Sequence, residues 1–565
     1  MKFLKILAPF ILVIIFAYFA FKPLLIQGFY PMHDNTQVAR TYEMTKALGD
    51  GMFPVRWVQD LGYGYGYPLF NYYDPLAFYV SGIIGLTTNA LAATKTMIII
   101  AIILSGISMY VLGKEFWGIK GGLVSSVFYM FAPYHAVDIF VRGDIAESFA
   151  YALIPFLFYG LWILFKRKSK LGGVLVSALS FAGIITAHNL TALMVAPFAV
   201  LFAVLLLLFD RKNLKRNAMY AAASFILGAG LSAFYSAPAI LEMKYSNVLS
   251  QVGGGANFRD HFVCLYQFWT SPWGYGGSTK GCIDGLSFMI GKYHILLSLA
   301  VIAVGMFLVF AKKKIDKEQK SKIYVIFAAG AGALLSVFLA TQASQPIWEA
   351  TRVMAFLQYP WRFLVLISFF ASFITGAAVW YLEKHPGNKN LNLVLSAAII
   401  IFVIIVSVKF FVPQKVLNVN ASDYTNAFAL EWTASNTSHE YMPASFQRPK
   451  SYYDIPDIKN LTSKDLSVNI VKHKTGYMLV DLKVNSPGTY ILPVAYFPAW
   501  QAKLDGKTVK LSENERGMEI FLPKGVHNLS LNFSQTPIEL ASDFITIASI
   551  LILILGIIYL RQKNE

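Results

Sequence analysis

"PLAFYVSGIIGL", residues 75–86, decides the topology of this chain. It is apolar, but well short of the roughly 20 residues that span a bilayer. If it crossed, "MKFLK" would lie on one side and "GKEFWGIK" with the later basic loops on the other. If it does not cross, "MKFLK", "GKEFWGIK", "KRKSK", "DRKNLKR", "KKKIDKEQKSK", "EKHPGNKN" and the tail "RQKNE" all fall on one side. Basic loops collect on the cytoplasmic face. The second choice is therefore the better one, and 75–86 is expected as a juxtamembrane or re-entrant helix.

Working outward, the sequence predicts twelve spans: the opening run, then 96–112, 120–133, 148–165, 172–188, 191–209, 218–239, 293–311, 322–341, 362–382, 390–412 and 541–560. Both termini are expected in the cytoplasm of a cell with a plasma membrane. The opening run, "FLKILAPFILVIIFAYFAF", resembles a signal peptide in composition, but no small-x-small cleavage site follows it, so it reads as a retained span. Composition agrees: 56% of the 565 residues are hydrophobic and 14% charged, where a soluble chain carries about a quarter charged residues. The net charge of +17 is scattered over short loops. It reads as topological signal and attraction to an anionic inner leaflet, not as a nucleic-acid surface.

The expected organisation is a membrane domain over 1–412, an extracytoplasmic domain over 413–540, and a last span with its tail over 541–565. Outside loops are expected at 22–95, 134–147, 240–292 and 342–361. The segment 413–540 alternates in "GYMLVDLKV", "TYILPVAYF" and "MEIFLP", and "LDGKTV" offers an Asp-Gly turn between strands. This predicts an antiparallel β-sandwich. Cys264 and Cys282 share one outside loop, so a disulfide is expected there, two unpaired thiols being the alternative. There is no CxxC or HExxH, and the nine His are dispersed, so the sequence names no metal.

Polar groups gather in the outside loops. "YPMHDNTQVA" puts His33 beside Asp34, and "TQVARTYEMTKALGDG" reads as an amphipathic helix on the membrane surface, capped by Asn35 or Thr36. In "LGYGYGYPLFNYYDPLAFY", Tyr65, Tyr67 and Tyr72 are candidates to contact a sugar or lipid; the plainer reading is an aromatic interfacial belt. "PYHAVDIFVRGDIAES" carries Asp138, Arg142, Asp144 and Glu147, and an Arg142–Glu147 pair is its purely structural explanation. His188 and Asn189 in "TAHNLTALM" are candidate substrate contacts or a hydrogen-bonded turn. In "WEATRVMAFLQYPWRFLVL", Arg352 and Arg362 suit a phosphate or a lipid headgroup. An acid and several arginines on one face suit displacement of a phosphate leaving group by a hydroxyl.

"GYGYPLFNYYDPLAFY", "PYHAVDIFVRGDIAES", "DGLSFMIG", "QYPWRFL", "YFPAWQAKLDGKTV" and "LPKGVHNLSLNF" resemble the bacterial polytopic proteins labelled 6-pyruvoyl-tetrahydropterin-synthase-related, and the YfhO-type proteins. No soluble synthase domain and no zinc-binding histidine cluster accompanies the label. The group is similar to the GT-C glycosyltransferases. That resemblance implies a polytopic α-helical fold with juxtamembrane helices and a polyprenyl-phosphate-linked sugar as donor. It also implies an extracytoplasmic acceptor (glycan, protein or envelope polymer) and a polyprenyl-phosphate sugar synthase as supplier. Carried over by motif, Asp34 is the expected catalytic base. Glu147 is the second-loop acid with Asp144 as its competitor, and Arg142, Arg352 or Arg362 are the phosphate-binding cations. His33 stands where a second acid is common, so a divalent metal stays open. Two non-catalytic readings remain beside this one: an envelope-assembly scaffold acting through the β-domain, and a lipid-linked glycan transporter. The transporter predicts charged residues deep in several spans, and few are present.

Overall fold

The computed structural model describes residues 2–166, 170–209, 211–253, 256–310, 315–384, 389–456 and 464–564. Parts of the basic loops "KRKSK", "DRKNLKR", "KKKIDKEQKSK" and "EKHPGNKN" lie outside the described residues. Among the described residues, nine helices are long and apolar enough to cross a membrane, or ten if the pair Leu214–Leu231 and Ala233–Leu241, bent by 73°, counts as one span.

The difference from twelve has two physical reasons. Ala90–Met130 runs as one 41-residue element but folds back at Gly118, whose φ of 77° and ψ of 179° no helix accommodates. Its two arms pack closely, and Ser126 donates across them to the Gly106 carbonyl at 2.7 Å. A straight helix would separate those residues by roughly 30 Å. The element therefore supplies both 96–112 and 120–133. Leu171–Ala187 is apolar but only 17 residues long. Leu76–Gly85 forms a 10-residue helix, which at about 1.5 Å per residue is half a bilayer core in length.

The first-loop helix Gln37–Gly49 differs from the expected surface helix. Gln37, Val38, Ala39, Arg40, Thr41, Glu43, Met44 and Ala47 are all buried, and Thr36 caps it without a side-chain hydrogen bond. It is enclosed by protein instead of lying on lipid. Periodicity shows that a helix has a covered face, not what covers it.

Eight antiparallel strands follow: β1 (Leu466–Lys474), β2 (Tyr477–Val484), β3 (Gly488–Leu492), β4 (Trp500–Leu504), β5 (Lys507–Val509), β6 (Leu511–Asn514), β7 (Gly517–Leu522) and β8 (Gly525–Phe533). They form two sheets, ordered β1-β2-β8-β4-β5 and β3-β7-β6. Asp505 and Gly506, with φ of 49° and 80°, make the turn between β4 and β5. Both left-handed, they give the turn twist that hairpins favour. The strands begin only at Leu466, and residues 413–456 ahead of them carry short helical turns.

One core joins these sheets to the first loop. Trp57 meets Trp500 edge-on at 5.2 Å and Phe533 at 5.1 Å. Ala495 donates its N–H to the Tyr65 carbonyl at 2.9 Å. Gly66 must be a glycine here: its φ is +68°, and a Cβ would lie 2.6 Å from the Trp57 indole nitrogen. Below this core, Arg56 binds Asp543 at 2.7 Å and Asn71 at 2.9 Å, and Asn71 donates to Glu539 at 2.6 Å. The last apolar helix, Pro537–Asn564, is thereby tied to the first loop.

Cys264 and Cys282 are bonded, with their Cα atoms 5.7 Å apart. Closing a loop of this size contributes about 3 kcal/mol. The double Cys→Ser variant is expected to expose 258–291 to limited proteolysis while the helical bundle keeps its protection. Unchanged cleavage in that loop would show that the bridge adds no local stability.

Candidate active site

The site is assembled by backbone pairing between two loops. His33 and Asp34 donate their N–H groups to the Val141 and Arg142 carbonyls at 3.1 and 2.9 Å. Gln37 adds a side-chain bond to the Gly143 carbonyl at 2.7 Å. Asp34 is thus fixed beside the wide helical turn Asp138–Arg142, which Gly143 ends in a left-handed conformation.

Arg142 faces a ring of acids. It donates to Asp138 at 2.5 Å, Asp144 at 2.7 Å and Glu147 at 2.9 Å, and lies 4.7 Å from the Trp361 ring centre. Arg362, brought in by the turn Pro360–Phe363, donates to Glu147 at 2.6 Å and approaches Asp144 at 3.4 Å. Tyr134 donates to the other Glu147 oxygen at 2.5 Å. Burial, then the Glu147 carboxylate, pushes the Asp138 carboxyl well up. Burial also works to raise Asp144, but His188, Arg142 and Arg362 outweigh it and hold that carboxyl below the usual carboxylate range. Three carboxyl groups, Asp138, Asp144 and Glu147, thus face two guanidinium groups, and each arginine is held by at least two of them.

Above the cluster opens a cavity of about 490 Å³. Asp34 lines it, half-buried. Burial first and the Asp144 carboxylate second raise the Asp34 carboxyl above its ordinary value, against the pull of Arg40, Arg142 and Arg362. Asp74 lines it too, accepting from the Asn189 N–H and the Tyr235 hydroxyl, each at 2.8 Å. Burial pushes Asp74 up to about 8. Glu440 and Tyr441, from the segment ahead of β1, complete the wall.

Of the residues singled out from sequence, the structure brings His33, Asp34, Tyr72, Arg142, Asp144, His188, Asn189 and Arg362 to this cavity. His33 is exposed, with its ring on the Tyr275 carbonyl at 2.9 Å; His188 hydrogen-bonds Thr191 at 2.7 Å. Glu147 is fully buried beneath the cavity and does not line it. It accepts from Arg142 and Arg362 at 2.9 and 2.6 Å. Arg352 is exposed and apart from the cavity, because the turn Arg352–Leu357 carries it outward. Tyr65 and Tyr67 do not reach the cavity. They pack on Phe446 and Tyr441 in the core shared with the β-sheets, so the glycine-tyrosine run serves packing at those two positions. Sequence reading passed over Arg40, Tyr73, Asp74, Glu440 and Tyr441. Asp74 was legible as an acid in an otherwise apolar and aromatic run; Arg40 looked like any basic residue of a surface helix.

Ligand atoms of Asp144, Glu147 and His188 lie within 4.8 Å of one another, a donor set of the right type for a divalent cation. Yet Arg142 and Arg362 already occupy the inward oxygens of both carboxylates. A dication about 4 Å from each guanidinium would meet several kcal/mol of repulsion even at an effective dielectric of 20. While both arginines keep these positions, the residues do not fit a resident metal.

A family model described as 6-pyruvoyl-tetrahydropterin synthase related domain, membrane protein, matches residues 70–413. An uncharacterized protein of Lactococcus lactis subsp. cremoris (strain MG1363) is 24% identical over 215 residues, 36% of this chain and 35% of its own length. Among solved structures, the mycobacterial arabinofuranosyltransferase AftD is 11% identical with a TM-score of 0.45, over 74% of this chain and 29% of AftD. The Archaeoglobus fulgidus oligosaccharyltransferase tethered to an acceptor peptide is 11% identical with a TM-score of 0.47, over 80% and 61%. ArnT from Cupriavidus metallidurans, bound to undecaprenyl phosphate, is 10% identical with a TM-score of 0.35, over 73% and 90%. The chain spans less than two thirds of the first relatives it matches.

Proposed function

The chain belongs to the 6-pyruvoyl-tetrahydropterin synthase related family of membrane proteins, and we propose that it is a glycosyltransferase. It moves a sugar from a polyprenyl-phosphate-linked donor to an extracytoplasmic acceptor, which is a glycan, protein or envelope polymer. The observation that carries this reading is the half-buried Asp34 carboxylate, held by backbone bonds in a cavity walled by guanidinium groups from distant segments.

Asp34 accepts the proton of an acceptor hydroxyl as its oxygen attacks the anomeric carbon. The bond from that carbon to the phosphate oxygen breaks, polyprenyl phosphate leaves with the electron pair, and the configuration inverts. Asp34 then returns the proton to solvent. Arg142 and Arg362 fix Asp144 in the cavity wall, and Glu147 fixes both arginines. The β-sheets, sharing a core with the first loop, flank the acceptor side. With both termini cytoplasmic, the cavity opens outward, and a polyprenyl-phosphate sugar synthase supplies the donor.

The test is the full chain in liposomes with a panel of undecaprenyl-phosphate hexoses and a native envelope fraction as the source of acceptor hydroxyls. The expected result is consumption of one member, with undecaprenyl phosphate released. Persistence of every member, with the panel covering the hexoses of the native envelope, overturns the reading.

Two further results are expected. A base must be ionised, and the Asp34 carboxyl lies above its ordinary value, so its ionised form is lost early as pH falls. The acid limb of the rate should have its midpoint above the roughly pH 4 of a free carboxyl; a midpoint at or below 4 speaks against Asp34. Transfer should also survive EDTA within about twofold, since Arg142 and Arg362 occupy the cation positions. A large loss restored by Mg²⁺ or Mn²⁺ would show that a metal displaces them.

A further inference from the structure

Arg142 and Arg362 are the obvious phosphate ligands, but their charge is already answered by the acids they touch. Arg40 is different. It stands on the first-loop helix, is 5% exposed, and lines the same cavity. Its Nη2 donates to the Ser438 hydroxyl at 3.0 Å, and its guanidinium lies 3.8 Å from the centre of the Tyr73 ring. Its Nε has no hydrogen-bond partner. Among the described residues, no carboxylate oxygen comes within ion-pair distance of it, although Asp34 and Glu440 border the cavity with it.

A buried guanidinium without a counter-ion is costly, and a ring face offsets only part of that cost. The walls around it, Tyr73 and Tyr441, are aromatic, and a low local dielectric strengthens its attraction for an incoming anion. We propose that Arg40 binds the phosphate of the lipid-linked donor, its planar fork receiving two phosphate oxygens. This rests on the transferase reading and deepens it by giving the leaving group its own cation, distinct from the arginines that organise the acids. As the bond to the sugar breaks, negative charge grows on the oxygen nearest Arg40, so the same contact strengthens in the transition state.

The test is binding of farnesyl monophosphate to the purified full-length protein, with inorganic phosphate as a competing arm. The unaltered protein should bind farnesyl monophosphate saturably, and Arg40→Gln should weaken it roughly 10- to 100-fold, the loss of a charge-assisted contact. Arg40→Lys keeps a charge but not the fork and should weaken binding about tenfold; it carries the test if the Gln variant does not fold. Unchanged affinity in either folded variant overturns the proposal. Inorganic phosphate should compete only at far higher concentration. Equal affinity for inorganic phosphate overturns the lipid headgroup as the source. The two readings fail separately. Arg40-dependent binding with no sugar transfer from any donor leaves the anion site standing and removes the transferase. Undiminished transfer by Arg40→Gln leaves the transferase and removes the anion site.

Discussion

Asp34→Asn is expected to cut sugar transfer by about 10²- to 10⁴-fold, the range a positioned general base supplies. Asn has the shape of Asp, and the bond from the residue-34 N–H to the Arg142 carbonyl involves only the backbone. The loop pairing that builds the cavity therefore survives. Burial disfavours the Asp34 carboxylate, so removing its charge should leave thermal stability equal or slightly higher. Farnesyl monophosphate binding should persist, because the anion contact belongs to Arg40. Thermal unfolding, lipid-phosphate binding and transfer measured on one preparation check this together. Full transfer by a folded Asp34→Asn protein would remove the proposed base.

The second large effect concerns stability. Glu147 is fully buried, accepts from Arg142 and Arg362 at 2.9 and 2.6 Å, and takes the Tyr134 hydroxyl on its other oxygen. Glu147→Ala takes from Arg362 its closest carboxylate and from Arg142 one of three, leaving Asp144 to face both buried guanidiniums. Breaking a buried pair in this way costs about 3–5 kcal/mol. The expected outcome is a lower yield of folded protein and a clear fall in the unfolding temperature in detergent. The double variant Glu147→Ala/Arg362→Met should recover part of that loss, since a buried pair can be replaced by apolar groups at little cost. A single variant as stable as the unaltered protein would show that water or a neighbouring acid already serves these arginines.

These two residues also mark how far sequence reading reached. The basic loops on either side of residues 75–86 predict the short helix Leu76–Gly85, because charge placement is a property of the chain. The Asp505-Gly506 turn was equally legible, since few residues adopt two left-handed conformations in succession. Asp34, Arg142, Asp144 and Glu147 could be nominated because ionisable groups at a membrane boundary are costly without partners. Their division of labour could not. Whether Arg142 meets a ligand or Glu147 depends on a wide turn and a left-handed glycine that only the folded backbone displays. Arg40 was hidden by the same limit. A helix buried between loops and a β-sheet domain has the residue pattern of one lying on lipid, and only tertiary contacts tell the two apart.

Phe29 and Leu417 form an isolated bridge, each donating its N–H to the other's carbonyl, and Gly28 packs so tightly there that a Cβ would strike the Leu417 oxygen. A chain emerging from the ribosome therefore holds Phe29 without its partner until residue 417 has been made, although His33 and Asp34 can pair as soon as Val141 and Arg142 are present. Glu440 and Tyr441 arrive later still. A stalled or prematurely released product can pair Asp34 with Arg142, but it leaves Phe29 without its partner and the cavity wall unfinished, so the pocket is complete only once synthesis has passed Tyr441.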